Sequence, residues 1–293
     1  LPHVLDTEVE RRLERARAAG PGEGGVEERL RTSLFQRLFT LLREREQVDG
    51  IRRTVTLDVQ YRMHPVLGEF VSRTFYEPHG EGFRSGGAPE SFAHGLARYG
   101  NASAAFVHVP RERGTELRGR SKSRPAEARW MATEVRRILD ERPELSVGVV
   151  AFYRAQIDLL NQELAAVGVT EALDDGGYRV RAEWKAGHDG RGRVVERLRV
   201  GTVDAFQGRE FDVVLLSMAR CNTRSGGTPL ELRRRLGHLM LENRLCVAMS
   251  RQRRLLVVVG DREMIEGSDP GAVPALARFL ELCDGEHGVR FVA

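Results

Sequence analysis

The 293 residues include 41% hydrophobic and 30% charged side chains, the balance of a globular chain with a substantial core rather than a disordered or fibrous one. No stretch has the apolar length of a bilayer span, so no membrane association is expected. The opening Leu1-Pro2-His3-Val4-Leu5-Asp6 has neither the basic start nor the long apolar run of a signal peptide, and with no initiator Met it reads as the start of a fragment. The formal net charge of +4 is a weak pull toward a polyanionic partner. Lys122 and Lys185 are the only lysines, a bias that a GC-rich genome explains as well as phosphate binding does. Cys221, Cys246 and Cys283 are far apart and form no C-x-x-C pair, which argues against a metal site or a disulfide framework and fits a reducing cytoplasm.

Residues 1–25 are polar, rich in Arg and Glu, and end in Gly20-Pro21-Gly22-Glu23-Gly24-Gly25. They read as a flexible linker or the end of a preceding domain. One domain is expected over 26–293. Leu30, Leu34, Phe35, Leu38 and Leu42 predict a helix over 26–45. The remaining pattern alternates: strand 54–57, helix 65–76, strand 104–109, then helix 125–139 with Pro125 at its first position, where a missing N–H costs nothing. Strand 146–151, helix 154–167, strands 198–203 and 213–217, helix 239–250, strand 255–259 and helix 272–282 complete the pattern.

The strands around Val147, Val213 and Leu255 are almost wholly apolar, as in strands buried on both faces. The predicted class is therefore α/β, a mostly parallel sheet flanked by helices. Ligands of such sheets sit beyond the carboxyl ends of the strands, so the loops after Leu57, Val150, Val203, Ser217 and Val259 are expected to carry the chemistry. Residues 111–124 carry a net charge of +4 and read either as a solvated loop or as a phosphate-backbone contact. Residues 171–197, with Asp174-Asp175-Gly176-Gly177 and Asp189-Gly190 as turn signals, read as an inserted hairpin.

Four segments hold candidate site residues. Gln60-Tyr61-Arg62-Met63-His64-Pro65 puts a flat ring and a guanidinium just before a helix start, where free N–H groups favour anions; a packed Tyr and a surface Arg are the bland alternative. Tyr153-Arg154-Ala155-Gln156 follows a core strand and could equally be an amphipathic helix start. Thr202-Val203-Asp204-Ala205-Phe206-Gln207-Gly208-Arg209-Glu210 joins two strands and is dense in groups that bind phosphate or ribose. Val247-Ala248-Met249-Ser250-Arg251 brings Arg to a helix end, which the helix dipole alone would also favour.

In this order and spacing the segments resemble motifs in the second, C-terminal RecA-like domain of superfamily 1 helicases, in the group that contains the eukaryotic nonsense-mediated-decay RNA helicase. The resemblance covers about 32–261 and is thin over 171–197. It implies ATP with Mg²⁺ as the nucleotide, Tyr61 stacking on adenine, Arg62 reaching the γ-phosphate, and Gly208 and Glu210 near ribose or phosphates. Arg251 would be the arginine finger. Thr202, Tyr153 and Gln156 would touch single-stranded DNA or RNA, with Asp204 and Gln207 coupling the two sites.

The chain contains no G-x-x-x-x-G-K-[ST] segment and no acidic pair closing an apolar strand, the parts that hold phosphates and metal in that family's first domain. Leu1-Pro2-His3 resembles the end of that first domain. The implied protein is thus an ATP-dependent helicase whose first RecA-like domain lies on the same polypeptide, with this chain inactive alone. A RecA-like module that only binds nucleic acid or protein is the alternative. An unrelated α/β enzyme is weaker still, because the motif loops hold no nucleophile–base pair.

Overall fold

A computed structural model describes residues 34–55, 57–188, 192–224, 226–268 and 270–293. The chain divides into two compact units, 1–57 and 58–293. In the first, helix α1 spans Leu34–Asp49. Its end is tied down locally. Glu46 accepts the backbone N–H groups of Arg53 and Thr54 as well as the Thr54 hydroxyl, and Arg53 pairs with Asp49. The helix predicted over 26–45 is therefore present from Leu34 and runs four residues further, while its start and the 1–25 linker lie outside the described residues. The strand predicted over 54–57 is not found at Thr54, Val55 or Leu57.

The second unit contains β1 (Val59–Gln60), α2 (Pro65–Val71), β2 (Arg84–Ser85), β3 (Ala104–His108), α3 (Pro125–Glu141), β4 (Val147–Ala151) and α4 (Arg154–Ala166). Next come β5 (Thr170–Ala172), β6 (Tyr178–Val180), α5 (Ala182–Lys185), β7 (Ala186–His188), β8 (Val194–Glu196), β9 (Leu198–Thr202) and β10 (Phe211–Ser217). It closes with α6 (Pro229–Leu236), α7 (Glu242–Ala248), β11 (Gln252–Gly260), α8 (Glu263–Glu266), α9 (Pro274–Asp284) and β12 (Gly288–Val292).

Six strands form one sheet in the order β12-β3-β11-β10-β4-β9, and every pairing is parallel. Alternate side chains along each strand face two separate cores. Val213, Leu215, Leu255 and Val257 pack with Met131, Val135 and Ile138 of α3 and Ile157, Leu160 and Leu164 of α4. Val214, Leu216, Leu256 and Val258 pack with Leu67 and Phe70 of α2, Leu245 and Ala248 of α7, and Leu276 and Phe279 of α9. Burial on both faces explains the unbroken apolar runs, each such side chain contributing roughly 1.5–3 kcal/mol. Among the described residues no helix is long and apolar enough to cross a membrane.

Some boundaries differ from expectation. The helix expected over 65–76 is α-helical only to Val71, then widens to a π-turn over Ser72–Tyr76. The helix expected from 239 begins at Glu242, after a 3-10 turn over Gly237–Met240. The single inserted hairpin is two, β5–β6 and β7–β8, both antiparallel. Strand β12 and helix α6 have no counterpart among the predicted elements.

The link from β9 to β10 sets where the motif residues end up. Those strands are parallel with β4 between them, so eight residues must pass over β4 and return from the carboxyl edge to the amino edge. Parallel crossovers usually need a dozen or more residues. This short one lies directly on the sheet, because glycines leave room for it. A Cβ at Gly148 would stand 2.9 Å from Phe206, and one at Gly201 would stand 3.1 Å from Ala205. Phe206 is fully buried, tilted against Phe211 at 5.4 Å.

Candidate functional site

Register places three motif residues together. Phe211 of β10 is opposite Gln252 of β11, and the Phe211 N–H donates to the Arg251 carbonyl at 2.9 Å. The residues just before these strands, Glu210 and Arg251, are therefore neighbours. The His64 N–H donates to the Arg253 carbonyl at 2.8 Å, which brings the Tyr61-Arg62 loop to the same place. Arg62 Nε donates to Glu210 Oε2 at 2.9 Å, and its Nη1 reaches the Ser250 carbonyl at 3.5 Å.

This cluster lies at the amino edge of the sheet, not the carboxyl edge anticipated for the Gly208–Glu210 loop. The reason is the crossover itself: Thr202 ends β9 at one edge, and Glu210 precedes β10 at the other.

Gln60 shapes the loop that presents Tyr61 and Arg62. Its Oε1 accepts the Arg62 and Met63 N–H groups at 2.8 and 2.9 Å, and its Nε2 donates to the Met63 carbonyl and to Ser85 Oγ. A Cβ at Gly68 would run into both Gln60 and Ser85, so only glycine permits this arrangement at α2. Tyr61 is 71% exposed, with its ring over Gly86, where any Cβ would collide with it. His64, 7% exposed, caps α2 by accepting the Val66 N–H on Nδ1, and burial holds its pKa below the ordinary histidine value.

Arg251 differs from Arg62. Burial lowers its pKa, and the nearby Arg62 charge lowers it further. Its Nε donates to the Val247 carbonyl at 3.0 Å and its Nη2 to Ser250 Oγ at 2.8 Å, both neutral acceptors. Among the described residues it forms no ion pair. Tyr76 and Cys246, which the sequence did not single out, lie beside it. Burial raises the pKa of both, and Cys246 adds to the rise at Tyr76. Two guanidiniums thus share one carboxylate at this edge, a standing demand for an anion. Because the Arg62–Glu210 pair is 40% and 48% exposed, it is worth at most about 1 kcal/mol and can be given up to a ligand.

Gly208 has φ +75° with open space around it, so the loop needs glycine for its left-handed backbone rather than for room.

At the carboxyl edge the predicted strand contacts separate. Thr202 is half-buried, and its hydroxyl forms no hydrogen bond among the described residues. Tyr153 is 7% exposed, stands edge-on to His238 at 4.7 Å, and its hydroxyl accepts the His238 N–H at 3.1 Å. Gln156 is a correction: it is fully buried, accepting the Arg124 N–H at 2.7 Å and donating to Ser217 Oγ at 2.9 Å, so no strand can reach it. Asp204 pairs with Arg244 of α7 at 3.3 Å, whereas Gln207 is exposed and bonds to nothing among the described residues. Arg124 is also a correction to the solvated reading of 111–124. It is wholly buried, paired with Glu127 at 3.1 Å and donating to the carbonyls of Val109, Pro110 and Gly114. Burial pushes the Glu127 pKa up against the pull of Arg124.

The family described as AAA domain, AAA_12, matches residues 30–263. The chain belongs to that family. The AAA domain is 28% identical over 247 residues to Regulator of nonsense transcripts 1 of Caenorhabditis elegans, covering 82% of this chain and 19% of that protein. It is 27% identical over 254 residues to the Drosophila melanogaster homolog, covering 80% and 17%. To the DNA polymerase alpha-associated DNA helicase A of Saccharomyces cerevisiae it is 32% identical over 149 residues, covering 51% and 16%. The chain thus spans less than a quarter of the length of these relatives, and the resemblance to the nonsense-mediated-decay group of helicases read from the motifs holds. The AAA domain here is a helicase-family domain.

Proposed function

We propose that this chain is the C-terminal motor half of an ATP-dependent nucleic-acid helicase, with ATP bound at the amino edge of the sheet. The observation that carries the reading is Arg251: a desolvated guanidinium, held among the described residues only by neutral acceptors, next to an exposed and easily released Arg62–Glu210 pair. Such a group is ready for charge that develops on a transferring phosphoryl group.

In this reading Tyr61 offers its exposed face to the adenine. On nucleotide binding Arg62 leaves Glu210 for the γ-phosphate, and Glu210, with the close backbone approach Gly208 permits, turns to the ribose. Arg251 stays where Val247 and Ser250 hold it. The sequence has no phosphate-binding Gly-Lys loop, so the phosphate cradle, and the Mg²⁺ that neutralises phosphate charge, are assigned to a first RecA-like domain of the same polypeptide. The chain alone is inactive in this reading. Thr202, at the opposite edge, faces a single strand of DNA or RNA, and Asp204 with Arg244 ties that edge to the finger helix. Three free thiols support a cytoplasmic setting.

The test is Arg251→Ala in the complete polypeptide. Steady-state ATP turnover is expected to fall roughly a thousandfold or more while nucleotide binding persists. Unchanged turnover would make this chain a binding module rather than a motor half.

A further inference from the structure

Strand β12 ends the sheet order and pairs only with β3. It stands four strands from β4, about 19 Å at roughly 4.8 Å per strand. The Ala293 N–H donates to the His108 carbonyl, and the His287 carbonyl accepts the Ser103 and Ala104 N–H groups. In a parallel ladder of that register, Val289 and Phe291 bond to β3, while Arg290 and Val292 turn their N–H and C=O groups away from it. Among the described residues no backbone or side-chain group takes up those four. Val292 is 73% exposed.

Natural sheets guard such an edge with a charge or a covering element. Arg290 is the one charged residue on β12, and it does not serve. Its guanidinium is folded back onto Asp284 and the Leu280 carbonyl of α9. The edge is left able to accept a further strand.

Beside it lies a basic cavity of about 460 Å³, walled by Arg98, Arg113, Arg129, Trp130, Glu134 and Arg137. Glu134, 2% exposed, pairs with Arg98 at 2.8 Å and Arg137 at 2.6 Å, which accounts for two of the four cations. Arg113 and Arg129 are exposed and have no acidic partner among the described residues. Val289 and Phe291 pack toward the α3 side, and Ala293, on that same face, lines the cavity. One face of an added strand would therefore look onto these guanidiniums.

We propose that β12 takes up an acidic peptide segment of a partner protein as an added strand, with its carboxylates held by Arg113 and Arg129. Main-chain pairing supplies the affinity in this mode of recognition, and side chains on alternate positions supply the choice of partner. Charge decides between occupants. A second copy pairing β12 to β12 would bring two basic groups together. A nucleic acid would satisfy the guanidiniums but has no alternating N–H and C=O groups for Arg290 and Val292. An acidic extended peptide satisfies both. The inference does not depend on the motor reading.

The probe is a fluorescein-labelled ten-residue peptide alternating Glu and Thr, which puts every Glu on one face when extended. Its binding to the complete polypeptide is followed by fluorescence polarisation. R113A/R129A should weaken it about tenfold or more, as expected for two charge-assisted contacts. Val292→Pro removes one outward N–H without touching the ladder to β3, and an edge strand tolerates proline. It should weaken binding about fivefold, the worth of one hydrogen bond. R73A/R278A, which removes the same charge elsewhere, should bind like the parent, and excess oligothymidylate should not displace the peptide. Hydrogen exchange over 288–293 in the unaltered polypeptide should slow when the peptide binds, a readout that needs no variant to fold. No binding by the parent, or parental binding by R113A/R129A, overturns the proposal. Loss in R113A/R129A with neither an effect of Val292→Pro nor slowed exchange overturns strand addition. Displacement by oligothymidylate assigns the cavity to nucleic acid and overturns the peptide.

Discussion

The two edges of the sheet handle arginine in opposite ways. At the amino edge, Arg62 and Arg251 sit beside one carboxylate, Glu210, and are held individually by Ser250, Val247 and the backbone. At the carboxyl edge, Arg124 is sealed in the core with Glu127 as a structural pair, while the exposed Arg120, Arg224, Arg233 and Arg234 outside it have no acidic partner among the described residues. The difference teaches that burial of a cation does not by itself tell whether its charge is matched. Arg124 is the most buried arginine among the described residues, yet all its contacts are internal. Arg251 is less buried, and it forms no ion pair among the described residues.

The comparison can be broken most directly on its ion pairs. Arg124→Met leaves Glu127 buried without its cation and should destabilise the fold by roughly 3–5 kcal/mol. Glu210→Ala, which opens an exposed pair, should change stability by about 1 kcal/mol or less. Urea unfolding of both variants measures the contrast, and similar losses would contradict it. A smaller effect is expected at Gly208. With φ at +75° and open space around it, Gly208→Ala meets no clash, only backbone strain of roughly 1–2 kcal/mol, read as a lower thermal midpoint.

The mildest effect is on pH dependence. Burial lowers the pKa of His64, His94 and His238 below their ordinary 6.5. The unfolded chain then takes up protons before the folded one does, so stability is full above about pH 6.5 and falls on acidification. His94 shows why: its Nδ1 accepts the Leu96 N–H at 3.0 Å, and that bond is lost when the ring is protonated. Thermal midpoints between pH 7.5 and 5.5 should decline, and less steeply in His94→Gln. A flat profile would exclude the buried histidines as its source.

Much of this was legible in the sequence, and the exceptions have physical causes. The apolar runs at Val147, Val213 and Leu255 announced a parallel sheet, because strands covered on both faces need no alternation. Tyr61, Arg62, Glu210 and Arg251 were picked out by the resemblance of their segments to helicase motifs, and the structure brings Arg62, Glu210 and Arg251 together with the Tyr61 loop beside them. What the sequence could not supply was which end of the sheet they occupy. Strand order decides that, and nothing local in Thr202–Glu210 reveals that β4 lies beneath the crossover. Gln156 and Arg124 misled for a related reason: both are polar residues near a helix start, and only tertiary packing shows that each is enclosed. Gln60 could have been found, since an amide one residue before Tyr-Arg can brace the next turn. The basic cavity around Arg120, Arg224 and Arg233 could not, because its cations come from two loops about a hundred positions apart and from helix α6.

Helix α7 is only seven residues long, about 10 Å at 1.5 Å per residue. Arg244, in its first turn, grips Asp204 and touches His238, which meets Tyr153, and three residues beyond its end stands Arg251. A rod this short has no slack to absorb movement. If its far end is displaced by a phosphate chain, the guanidinium at its near end must tilt or the helix must break. If the proposed motor reading holds, its timing would be set by a single stiff spoke rather than by a diffuse path through the core.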